Sequence, residues 1–139
     1  MSDNDRVLIA GAGPVGCCAA LYLAQRGIPV TLLEADDELP EDLRASTFHP
    51  PTLDMLDDLG VVDTLIEQGI TCPSWQYRDA REGVIAHWDL GVLFNDTGHP
   101  YRVQCEQFKL TRIIVAELAK LSEATVLFRK RATGTRQDE

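Results

Sequence analysis

Six consecutive residues, Gly11-Ala12-Gly13-Pro14-Val15-Gly16, and one acid, Glu34, carry the clearest chemical signal in this chain. They spell GxGxxG followed 18 residues later by a carboxylate, an arrangement suited to the ADP half of a dinucleotide. Gly11 permits a tight turn, Gly13 lets the backbone approach a pyrophosphate without a Cβ in the way, and Gly16 lets a helix pack closely. Pro14 sacrifices no helical hydrogen bond, because first-turn N–H groups have no internal partner. Those N–H groups and the positive end of the helix dipole then face the phosphates. Glu34 can accept two hydroxyl hydrogen bonds from an adenosine ribose. Its charge repels a 2′-phosphate, which disfavours NADP. The glycines themselves do not separate NAD from FAD.

The elements that must position these residues are legible around them. The apolar run VLIA within Arg6–Ala10 reads as a buried strand, and Val30–Leu33 as a second. Between them Val15–Arg26 reads as a helix with a small face continued by Ala19 and Ala20, closed by Gly27. This is one βαβ unit, its strands parallel and covered on each face. Residues 35–43 form an acidic surface loop. Pro51 opens a helix with Leu53, Leu56 and Leu59 inward and Asp54, Asp57 and Asp58 on the wet side. A shorter helix over residues 62–68 stops at Gly69. Then the period changes: Trp75 and Tyr77, a turn at 80–83, and Val84, Ala86 and Trp88 make an antiparallel hairpin of a different sheet. A strand over Tyr101–Cys105, an amphipathic helix over Gln107–Leu121 and a strand over Val126–Phe128 follow. Residues 132–139 read as the outgoing arm of a further hairpin, so the chain is expected to be part of something longer.

Composition narrows the function classes. The 139 residues are 45% hydrophobic and 25% charged, the balance of an ordinary globular domain. Thirteen Lys and Arg against 22 Asp and Glu give a net charge of -9, which excludes the basic face of a nucleic-acid binder. No run approaches the roughly 20 apolar residues of a membrane span, and the acidic, polar start is unlike a secretory leader. Cys17, Cys18, Cys72 and Cys105 have neither CxxC spacing nor a histidine at zinc-site distance. They read as small packing residues in a reducing, cytoplasmic setting. His49, His87 and His99 show no ligand spacing, so no metal and no catalytic residue is assigned.

Three segments together resemble the FAD-dependent aromatic-ring monooxygenases of the p-hydroxybenzoate hydroxylase type. They are VLIAGAGPVGCCAALYLAQRGIPVTLLEA, RASTFHPPTLDMLDDLGVVDTLIEQG and YRVQCEQFKLTRIIVAEL, and they span most of the chain. The resemblance implies FAD as cofactor and an α/β fold: a Rossmann-like βαβ FAD-binding fold with the start of a second, mainly antiparallel substrate-side sheet. Residues 1–139 would be the N-terminal part of the FAD-binding domain, with a C-terminal remainder absent. In it, 1–72 and 101–139 form the dinucleotide-binding portion and 73–100 an inserted hairpin of the substrate-side sheet.

The implied cofactor-binding set is Gly11, Ala12, Gly13, Pro14, Val15, Gly16, Glu34, Ala35, Arg44 and Gln107. Arg44 resembles the arginine that contacts the cofactor's ribose and phosphate region, where a cation suits pyrophosphate oxygens. Gln107, in the pattern Q-x-x-L-T-R, resembles the glutamine that reaches the flavin's extended chain, where an amide suits ribityl hydroxyls. The implied full enzyme takes electrons from NAD(P)H and uses O2 to hydroxylate an aromatic or polyketide-like ring of a small-molecule substrate. Trp75, Tyr77, Trp88 and Tyr101 read as core residues of the second sheet in preference to a substrate wall. The family's Asp-Gly and Gly-Asp motifs do not occur in these residues, so this chain alone is expected to be inactive. The alternatives are a truncated, non-catalytic dinucleotide-binding module acting through a partner, or a related flavoprotein such as a halogenase or reductase.

Overall fold

The computed structural model describes residues 5–41 and 43–137. Residues 1–4 of the polar start, residue 42 of the acidic loop, and 138–139 of the expected hairpin arm lie outside the described residues. The chain divides into two compact units, Met1–Asp42 with Leu110–Glu139, and Leu43–Lys109. The boundaries drawn from sequence at 72/73 and 100/101 both fall inside the second unit.

The first unit is built on three parallel strands. β1 (Val7–Ala10), α1 (Pro14–Ala24) and β2 (Val30–Leu33) follow in order, and β8 (Ala124–Leu127) completes the sheet in the order β1-β2-β8. Val7 pairs with Val30 and Val30 with Ala124 at one end of the ladders. Gly27 closes α1 at φ 73° and its N–H donates to the Ala24 carbonyl, which ends the helix in the left-handed conformation glycine tolerates. The buried stripe of α1 is Cys17, Ala20, Leu21 and Ala24, the i, i+3, i+4, i+7 spacing of one helix face. Ala19, expected on that face, is exposed, because a helix turns about 100° per residue and carries it past the contact.

β1 also departs from expectation. β2 is buried along its first three residues, whereas Leu8 in β1 is 68% exposed and Val7 is exposed as well. By sequence β1 (VLIA) is even more apolar than β2 (VTLL). β2 is flanked by a strand on each side and β1 lies at the edge, so position in the sheet decides the difference. At the start of the strands Arg6 reaches the Val30 carbonyl and the Thr31 and Thr125 hydroxyls at 3.1 to 3.2 Å. One guanidinium thus ties β2 to β8.

The second unit holds β3 (Thr47–Phe48), α2 (Pro50–Asp58), α3 (Val62–Glu67), β4 (Ile70–Cys72), β5 (Ser74–Asp79), β6 (Gly83–Asp89) and β7 (Arg102–Gln104). Pro50, not Pro51, is the first residue of α2, and Leu53, Leu56 and Leu59 are buried as the spacing requires. β3, β7 and β4 form an antiparallel sheet with β7 in the centre. Its outer strands have only two and three residues, too short for an alternating pattern to declare them in the sequence. Gly69 ends α3 as expected, but its reason lies elsewhere. A Cβ there would sit 2.5 Å from Val103 Cγ1, so the bare backbone lets β7 approach.

β5 and β6 make the expected hairpin as a separate two-stranded sheet. Trp75 stands opposite Trp88 and the two rings stack with centroids 4.0 Å apart. They are not core residues: Trp75 is 40% exposed, Trp88 43% and Tyr77 62%. A two-stranded ribbon has no second layer to bury them, so the rings cover each other.

α4 (Gln107–Leu118) is three residues shorter than the sequence spacing suggested, and Leu110, Ile114 and Leu118 are buried while Leu121 is half-buried. Residues 132–137 are exposed and form no strand, so the expected hairpin arm is not found among the described residues.

Candidate functional site

The glycine turn joins the carboxyl end of β1 to the first turn of α1. Gly11 takes φ 100°, a conformation in which a Cβ would be strained, and its N–H donates to the Leu33 carbonyl at 2.7 Å. Gly16 faces back onto the turn: a Cβ there would lie 2.0 Å from the Gly11 carbonyl oxygen. Gly13 is the opposite case, exposed and with nothing within 4 Å of the position a Cβ would take. α1 therefore begins with Pro14 under an open space, and the N–H groups of Val15 and Gly16 lie in the turn where no intrahelical carbonyl can reach them.

Glu34 closes the other side of this space. Its backbone is held by β8 and the residues that follow it, with its N–H donating to the Leu127 carbonyl at 2.8 Å and its carbonyl accepting from the Lys130 N–H at 2.7 Å. Its carboxylate accepts from the Ala12 N–H at 2.8 Å and from the Asp36 N–H at 3.1 Å. Partial burial pushes the carboxyl's pKa up, but the N–H groups of Asp36, Ala12 and Ala35 and the charge of Arg131 outweigh it and hold the group below its ordinary value. Glu34 is thus an ionised acceptor, and these backbone bonds still leave lone pairs on the carboxylate for hydroxyl donors. Cys17, directly below, is fully buried and its thiol donates to the Ala12 carbonyl at 3.2 Å. Burial first, then the nearby Cys18 and Glu34 groups, push its pKa up to about 12, so it remains a thiol.

An ADP-bearing cofactor fits what is present: an open space over a side-chain-free turn, unspent helix N–H donors, and an ionised acid beside them. Gly11, Ala12, Gly13, Pro14, Val15, Gly16, Glu34 and Ala35 are brought together in the first unit. Arg44 and Gln107 are brought together in the second, where the Gln107 N–H donates to the Ala45 carbonyl at 3.0 Å and the Cys105 N–H to the Ser46 carbonyl at 2.8 Å. Arg44 is exposed on a bend, and Gln107 is the half-buried first residue of α4.

Sequence spacing missed several polar contacts. His99 is buried with its Nδ1 2.7 Å from Asp54 Oδ1, which also accepts from the Thr97 hydroxyl at 2.7 Å. Forty-five residues separate that acid from His99, and nothing local announces the pair. The link from Ala12 to Glu34 was equally silent. Among the described residues, no three His, Cys, Asp or Glu side chains gather to hold a metal ion. No helix among them is long and apolar enough to cross a membrane, and their four cysteines are unbridged.

A strand, a glycine turn, a helix and an acid-tipped parallel strand define the class: a dinucleotide-binding protein of the Rossmann-like type. The chain matches the FAD binding domain family over residues 4–139 and belongs to it. It is 32% identical over all 139 residues to a para-nitrophenol 4-monooxygenase of Pseudomonas sp. strain WBC-3, covering 34% of that protein. It is 36% identical over 128 residues to a 6-hydroxy-3-succinoylpyridine 3-monooxygenase of Pseudomonas putida, covering 92% of this chain and 33% of that one. Among solved structures, p-nitrophenol 4-monooxygenase PnpA of Pseudomonas putida superposes with a TM-score of 0.90 at 31% identity, over 96% of this chain and 35% of its own. Aklavinone-11 hydroxylase, solved with FAD and aklavinone, shares the fold with a TM-score of 0.81 at 24% identity. The chain spans about a third of the length of these curated relatives.

Proposed function

We propose that this chain is the N-terminal, FAD-holding part of a flavin-dependent monooxygenase that hydroxylates a small aromatic ring with NAD(P)H and O2. The observation that carries the reading is the turn from Gly11 to Gly16 set beside an ionised Glu34, in a chain of the FAD binding domain family. The first-turn N–H groups of α1 bind the pyrophosphate, and Glu34, with Ala35 behind it, accepts the adenosine ribose hydroxyls. Arg44 contributes a cation toward the phosphate region and Gln107 an amide toward the ribityl chain. Residues 1–72 and 101–139 are the dinucleotide-binding portion, and the hairpin within 73–100 belongs to the substrate-side sheet.

When bound, the flavin supplies the redox and oxygen chemistry. This chain's own residues bind it, orient its ADP half and exclude a 2′-phosphate at Glu34. The names of the relatives, a nitrophenol and a succinoylpyridine monooxygenase, support a substrate that is a small hydroxylated aromatic or heteroaromatic ring.

Titration of the purified chain with FAD and with NAD, followed by flavin fluorescence and calorimetry, tests the cofactor. FAD is expected to bind the more tightly; tighter NAD binding would point to a dehydrogenase instead. For the activity, the longer protein that contains this chain is expected to oxidise NAD(P)H faster when a phenolic substrate is added and to release a hydroxylated product. Oxidation without product would favour a reductase.

A further inference from the structure

Residue 17 bonds twice to the glycine turn. Its backbone N–H donates to the Gly13 carbonyl at 2.9 Å, the first bond of α1, and its thiol donates to the Ala12 carbonyl at 3.2 Å. The side chain is fully buried, so the thiol must also fill space there. Ala12 itself is fully buried and is gripped at both ends: its N–H is on Glu34 Oε2 and its carbonyl is on the Cys17 thiol.

That second grip has a directional consequence. The Ala12–Gly13 peptide is trans, so its carbonyl and the Gly13 N–H point in opposite directions. With the carbonyl tied inward to a buried thiol, the Gly13 N–H is turned outward. Gly13 is exposed there, and its surroundings are open to 4 Å where a side chain would project. The thiol cannot give up its donor role at ordinary pH, because burial keeps it protonated.

The geometry points to Cys17 as a positioning residue for the cofactor's pyrophosphate: through the Ala12 carbonyl it aims the Gly13 N–H at a phosphate oxygen. This rests on the dinucleotide reading given above and adds to it a side chain that never touches the ligand. S–H···O bonds are weak, so the effect is a tuning of affinity.

The test compares ADP with adenosine on the 139-residue chain, using wild type, Cys17→Ala and Cys17→Ser. Cys17→Ala is expected to weaken ADP binding about three- to tenfold and leave adenosine binding unchanged, with Cys17→Ser recovering most of the loss. Equal weakening for both ligands would make Cys17 a packing residue only, and unchanged ADP affinity would overturn the assignment outright. A second measurement needs no variant. In the wild type the Gly13 amide resonance is expected to shift strongly downfield as ADP is added, and an unmoved Gly13 amide with other turn residues shifting would also overturn it. A wild-type chain that binds neither ADP nor FAD would overturn the cofactor reading itself, and Cys17's role with it. A wild type that binds while Cys17→Ala matches it would remove Cys17 alone.

Discussion

The glycine turn and the tryptophan hairpin solve the same problem, holding irregular or exposed chain in place, by opposite means. Around the turn, backbone groups find partners far away in sequence: Gly11 on Leu33, Ala12 on Glu34, Glu34 on Leu127 and Lys130. The hairpin is held mainly by near neighbours: its own ladder, the Asp79 carboxylate in its turn and the ring pair of Trp75 on Trp88, with the Arg102 guanidinium 5.7 Å from the Trp75 ring. The difference lies in what surrounds each. The turn sits at the end of a three-stranded parallel sheet whose central strand is buried, and on its inner side, at Gly16, an added atom meets backbone. The hairpin is two strands wide and its large side chains remain half in water, so changes there meet little resistance. Close packing gives the turn its fixed donors, and a ribbon without a second layer gives the hairpin its tolerance.

Substitutions can break that contrast, and the largest effect is expected at Gly16. A Cβ 2.0 Å from a backbone oxygen cannot be accommodated by a rotamer change, so Gly16→Ala should destabilise the chain by about 3 kcal/mol or more, read by thermal or urea unfolding. A Gly16→Ala chain as stable as wild type would show that the turn is not closely packed. Gly13→Leu is the sharper companion. Its site is open and its φ of -71° is ordinary, so folding should be retained while ADP and FAD affinity fall about 100-fold. Retained affinity would remove the phosphates from the turn.

The hairpin should respond far less. Trp75→Ala removes one ring of an exposed stack and should cost about 1 kcal/mol, with loss of the paired-ring signal in near-ultraviolet circular dichroism. A much larger loss would mean that the rings are covered in solution. The smallest effect is pH-dependent. Glu34 has a folded pKa below its ordinary value, so its contribution is complete above the ordinary carboxylate range and is lost as pH falls through the lowered value. Unfolding midpoints measured from pH 6 downward should therefore fall more steeply for wild type than for Glu34→Gln. Parallel curves would show that the Ala12 and Asp36 bonds do not favour the charged carboxylate.

How much was legible follows the range of the interactions involved. The GxGxxG turn, β2 at Val30–Leu33, the helix end at Gly27 and the pairing of the hairpin strands all depend on neighbours within a few residues or on one simple period. Each could be written down from spacing. The family resemblance rests on the same local strings. Other features failed for a common reason. β1 is even more apolar than β2 but lies at an edge, Ala19 misses the contact by a rotation, and the tryptophans look like core because nothing in their pattern says how many strands their sheet has.

Residue type and local spacing by themselves determined that this chain folds as a dinucleotide-binding βαβ unit with an acid at the ribose end. Backbone conformation and helix initiation are decided by near neighbours, and those are written consecutively. Only the tertiary structure decided which groups the turn leaves free. It placed Ala12 between Glu34 and Cys17, joined His99 to Asp54, and assembled β3, β7 and β4 from segments too short to declare themselves. Those contacts form between residues that come together when the chain packs, where burial makes each polar group find whatever partner is within reach.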